Sequence, residues 1–98
     1  MGTRLNESQR VVIACRPFLD GDDKSIALKP LEEAAEAFGA WQNAMHGDGD
    51  LDSVIYECCD TIQAAVNLMM CVGATDAQVE SAMDSVEVHN RRRGRYGE

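Results

Sequence analysis

Aromatic side chains are scarce in this 98-residue chain, at 5 % of the sequence against 45 % hydrophobic residues in all. Apolar bulk therefore comes mainly from alanine, methionine and the aliphatics, a mix that favours helices packed through small and flexible side chains. Alternating runs of β-branched residues are missing too, which argues against a half-buried sheet. No apolar stretch approaches the roughly 20 residues that span a bilayer, so no membrane association is expected. Basic residues are few, 9 against 17 acidic, for a formal net charge of -8. Such a surface repels nucleic acid, and no nucleic-acid partner is expected either. The four cysteines, Cys15, Cys58, Cys59 and Cys71, form no CxxC pair, and residues 1–10 contain no apolar core of a signal peptide. We expect reduced thiols and a cytoplasmic protein.

What is present is helical periodicity. At 98 residues there is room for one domain and one core, so we read 1–98 as a single domain. A first helix is expected between about Asn6 and Phe18, with Val11, Val12, Ala14, Cys15 and Phe18 as an irregular apolar stripe ended by Pro17 and Asp20-Gly21-Asp22-Asp23. A second, from about Ser25 to Met45, repeats Leu31, Ala34, Ala35, Phe38, Trp41 and Met45 at steps of three and four, with Pro30 marking its first turn or a kink. After the breaker His46-Gly47-Asp48-Gly49-Asp50, a third spans residues 51–72 and carries Ile55, Cys58, Cys59, Ile62, Val66, Met69 and Met70, with Gly73 as its cap. Thr75 and Gln78 form a capping-box pattern that opens a fourth helix, with Val79, Ala82, Met83 and Val86 on its inner face. The expected fold class is all-α, a four-helix bundle-like domain. The third helix is apolar around much of its circumference, more than a lone bundle of this size can cover, so completion by oligomerisation is expected.

The acidic residues fall into a second pattern. Residues three apart share one side of a helix, so Glu33 and Glu36 are neighbours, with Lys29 one turn earlier and Glu32 beside them. Glu57 and Asp60 repeat this spacing on the third helix, with Ala64 and Asn67 continuing along the same side. If the two helices pack antiparallel, four carboxylates converge on a groove lined by alanine. Like charges so close repel strongly, and magnesium, a hard ion that prefers oxygen ligands and binds together with phosphates, removes that cost. Four carboxylates exceed what one such ion commonly takes, so one or two ions are expected, with manganese able to substitute. An EExxE or an ExxD alone on a helix is usually a solvated face; their combination, flanked by small residues, points to metal.

Glu32-Glu33-Ala34-Ala35-Glu36, then twenty residues, then Glu57-Cys58-Cys59-Asp60, resembles the EExxE and ExxD signature of the all-α nucleoside triphosphate pyrophosphatases, MazG-like proteins above all. The resemblance covers about residues 25–96, and the ending His89-Asn90-Arg91-Arg92-Arg93-Gly94-Arg95-Tyr96 is similar to small phage-type members, which would place the protein in a host cytoplasm. It implies that Glu33, Glu36, Glu57 and Asp60 bind magnesium, and that Glu32 and Glu33 are the catalytic candidates, Glu32 either supporting the metal ligands from behind or activating water. It also implies a homodimer or homotetramer that hydrolyses a nucleoside triphosphate substrate between its α- and β-phosphates, giving monophosphate and pyrophosphate.

Lys29, Arg91, Arg93 and Arg95 are the candidates for direct phosphate contact, since Arg suits bidentate phosphate geometry, although basic residues also favour helix ends through the dipole. Asn67 is the candidate for hydrogen bonding to base, sugar or phosphate, or else for a contact between helices. Trp41 and the thiols of Cys58 and Cys59 are expected in the core. Rival readings are a phosphoribosyl-ATP pyrophosphatase-like enzyme, a nucleotide-binding regulator without turnover, and a helical interaction module whose acidic face meets a basic partner.

Overall fold

The computed structural model describes residues 13–15 and 23–97. Among these residues there are three helices and no strand, so the described chain is all-α. We number them α1 (Asp23–Met45), α2 (Leu51–Cys71) and α3 (Asp76–Arg92). The helix expected over Asn6–Phe18 lies outside the described residues except at 13–15, which are not helical. None of the three helices is long and apolar enough to cross a membrane.

α1 starts two residues before its expected boundary, so Pro30 sits inside it rather than in its first turn. The proline has no N–H to give the carbonyl one turn back, that of Ile26, and the helix continues on both sides. The turn into α2 is fixed by backbone chemistry. Asp48 and Gly49 N–H groups both donate to the Asn43 carbonyl at 3.0 Å. Gly47 has φ +89°, a left-handed conformation natural to glycine. Asp50 then caps α2, its Oδ1 accepting from the Ser53 N–H at 2.9 Å, and this bond holds the Asp50 carboxyl below the usual range.

The described chain divides into two compact units, one holding residues 13–15, α1 and α2, the other α3 and the turns beyond it. In the first, α1 and α2 pack along their lengths as a hairpin. Its most buried residues are Ile26 (6 % exposed), Ala64 (5 %) and Asn67 (9 %), and no large side chain is fully buried. The helices therefore meet through their small and polar face. Phe38 and Ile55 are 58 % and 59 % exposed, and Leu31, Trp41, Met45 and Leu51 are exposed with them. Trp41 and the thiols of Cys58 and Cys59 consequently sit outside the core, contrary to the expectation from the apolar stripe. The reason is angular: Phe38 follows Glu36 by about 200° of helix rotation, so a fold that turns the carboxylates toward α2 turns the stripe away.

In the second unit α3 opens on the expected capping box. The Gln78 N–H donates to Thr75 Oγ1 at 3.2 Å while the Thr75 N–H donates to Gln78 Oε1 at 2.8 Å. It closes at Gly94, φ +69°, with the Arg93 and Arg95 amides bonded to the carbonyls of His89 and Asn90. Met83 and Val86, expected on an inner face, are exposed.

Candidate metal centre

The hairpin brings together three of the four acids that the spacing singled out. Ligand oxygens of Glu33, Glu36 and Glu57 all lie within 4.8 Å of one another. Asp60 completes the group electrostatically, since its charge raises the pKa of both Glu33 and Glu57. Glu36 and Asp60 thus act on both Glu33 and Glu57, across the two helices.

Two of these side chains are in an unfavourable state for free carboxylates. Glu33 and Glu57 are each only partly exposed, and Oε2 of each is buried with no hydrogen-bond partner among the described residues. Removal of water is the largest influence on both, and it pushes each carboxyl above its ordinary value of 4.5. For Glu33 the hydrogen bond to Glu36 and the charges of Glu36 and Asp60 push further the same way, opposed by the positive charge of Lys29. For Glu57 the charges of Glu36 and Asp60 and the hydrogen bond to Glu36 do so. A buried acceptor without a donor costs free energy, and like charges beside it add to that cost. A hard cation with oxygen ligands satisfies both demands at once, so the donor set fits magnesium or manganese.

The remaining candidates are placed more variously. Lys29 Nζ lies 3.3 Å from Glu32 Oε2 on the half-exposed edge of α1, one turn before Glu33. Asn67 is on the carboxylate side of α2, yet its Oδ1 accepts hydrogen bonds from the Cys15 N–H at 2.8 Å and from Gln63 Nε2 at 3.0 Å. Arg91, Arg93 and Arg95 belong to the other unit. There Arg91 pairs with Glu87 at 3.4 Å and lies 5.3 Å from the Tyr96 ring centroid, and Arg95 donates to Asn90 Oδ1 at 3.1 Å. Both side chains are thus held by partners within their own helix end.

Gln63 is the residue that reading the sequence missed. Its Nε2 donates to the Ile13 carbonyl at 2.9 Å as well as to Asn67. The signal was present, because two amide side chains four apart on one helix face are a known hydrogen-bonding pair. Compared with models of known protein families, with curated proteins and with solved structures, the chain matches none.

Proposed function

We propose that this protein is a magnesium-dependent nucleoside triphosphate pyrophosphohydrolase of the MazG-like type, which cleaves between the α- and β-phosphates to leave a monophosphate and pyrophosphate. In this reading residues 1–98 are one domain, its helices complete a four-helix bundle, and the chain works as a homo-oligomer. The observation that carries the proposal is the convergence of Glu33, Glu36 and Glu57 beside Asp60, with two buried carboxylate oxygens that no described group satisfies. The exposed apolar side of the hairpin, from Leu31 to Met45 on α1 and at Leu51 and Ile55 on α2, supports the oligomer.

Glu33, Glu36, Glu57 and Asp60 would hold the magnesium. The ion supplies charge neutralisation for the polyphosphate, which an acidic protein could not otherwise approach. Around it the chain's own residues orient and move protons. Glu32, paired with Lys29 on this edge of the helix, would take the proton of the attacking water, with Glu33 as the other carboxylate in that role. Lys29, one turn before Glu33 on α1, would meet phosphate oxygens not carried by the metal.

The test is incubation of the protein with a panel of ribo- and deoxyribonucleoside triphosphates, with magnesium or with chelator, and identification of both products. Monophosphate and pyrophosphate formed only with magnesium are the expected result. Every triphosphate left intact by folded protein, phosphoribosyl-ATP included, would overturn the reading.

A further inference from the structure

Gln63 and Asn67 stand one and two turns beyond Asp60 on the same side of α2, and Asn67 lies about 10 Å further along the helix at 1.5 Å per residue. Both amides are turned to the protein's own backbone. The two hydrogens of Gln63 Nε2 go to the Ile13 carbonyl and to Asn67 Oδ1, at 2.9 and 3.0 Å. The two lone pairs of Asn67 Oδ1 take this bond and the one from the Cys15 N–H at 2.8 Å. The pair therefore grips a carbonyl and the amide two residues later, the groups that one edge of a stretched chain presents together. The grip uses main-chain atoms alone. Ile13 keeps its side chain exposed, and Asn67, though buried, is hydrogen-bonded.

We propose that Gln63 and Asn67 form a backbone clamp holding residues 13–15 against α2 as a wall beside the four acids, and that both are positioning residues for the ligand those acids bind. The second half rests on the function proposed above. Asn67 then acts through the clamped segment, its carbonyl oxygen being committed to the Cys15 and Gln63 donors. The ligand, a nucleoside triphosphate, is confined by this wall to the side of the four acids.

The experiment reads the clamp and the ligand separately, with the full chain. Cys15 is partly buried while Cys58 and Cys59 are exposed, so alkylation rates of the individual thiols, followed by peptide mass mapping, report how often residues 13–15 detach. Loss of ordinary hydrogen bonds in Asn67→Leu or Gln63→Ala is expected to speed alkylation of Cys15 roughly tenfold, with Cys58 and Cys59 unchanged as internal references. Asn67→Asp keeps the acceptor and is expected to keep Cys15 protected. In magnesium-dependent pyrophosphate release, Asn67→Leu and Gln63→Ala should both raise KM more than they lower kcat.

A Cys15 rate that moves in neither variant overturns the clamp. A faster Cys15 with unchanged KM overturns the wall. If Asn67→Leu raises KM while Gln63→Ala alters neither KM nor the Cys15 rate, Asn67 touches the ligand directly and the positioning role is wrong. Should Asn67→Leu lose its helical circular dichroism, Gln63→Ala, at an exposed bond, decides alone. If the unaltered protein releases no pyrophosphate, the enzyme reading fails with the wall, and the Cys15 rates still judge the clamp.

Discussion

Ala64→Leu should destabilise the fold more than any change of like size on the apolar stripe. Ala64 is 5 % exposed, lower than any other described residue of α2, and lies between Asp60 and Asn67 on the side that packs against α1. Leucine adds three carbons where the helices meet through small residues, and overpacking of this kind costs about 1–3 kcal/mol. Helix propensity does not offset it, because alanine and leucine are both strong helix formers. For a domain of this size each kcal/mol moves Tm by about 4–8 °C, so the variant should melt roughly 5–20 °C below the parent. The assay is thermal unfolding by circular dichroism in chelator, with Ala35→Leu, on the exposed side of α1, as the control that should melt with the parent. Repetition in magnesium should widen the gap, since helices forced apart separate Glu33 and Glu36 from Glu57. An Ala64→Leu protein within about 2 °C of the parent would refute the close helix contact from which the carboxylate geometry follows.

Three further outcomes follow from the same structure. Thr75→Ala removes the side-chain half of the α3 capping box and should cost about 1 kcal/mol, measured by urea unfolding; an unchanged midpoint would show that this helix end frays in solution. Glu33 and Glu57 bind protons more tightly folded than unfolded, so without metal their contribution is destabilising above their raised pKa values and is relieved as pH falls toward 4.5. Metal-free Tm should therefore rise between pH 7 and pH 5 and flatten in magnesium, whereas below about pH 4 the Asp50 cap, with its lowered pKa, is lost and stability falls again. Glu36→Gln and Asp60→Asn preserve side-chain volume and remove one charge each, so both should fold while losing magnesium-dependent turnover by at least about a hundredfold, and full activity in both would remove these residues from the site.

Much of this was legible in the chain and some was not, for reasons particular residues make plain. The breaker at 46–50, the Thr75–Gln78 box and the terminator Gly94 are local chemistry, and each acts where the sequence puts it. The pairing of EExxE with ExxD was legible because three-residue spacing on two helices joined by a short turn fixes which sides can face. The stripe of Phe38, Trp41 and Ile55 misled, since periodicity marks an apolar side without saying what covers it; here Ala64 and Asn67 are the buried residues of α2 instead. Asn67 was legible as a polar residue on the acidic side. Its bond to the Cys15 amide was not, because a contact between residues 52 apart depends on tertiary placement that no local pattern encodes.

Whether the four acids hold a divalent cation is decided by titration of chelator-treated protein with magnesium or manganese in a calorimeter. Binding should be saturable and should disappear in Glu36→Gln, with Glu80→Gln on α3 binding as the parent does. Folded parent protein that takes up neither ion, or Glu36→Gln protein that binds as well as the parent, would contradict this expectation.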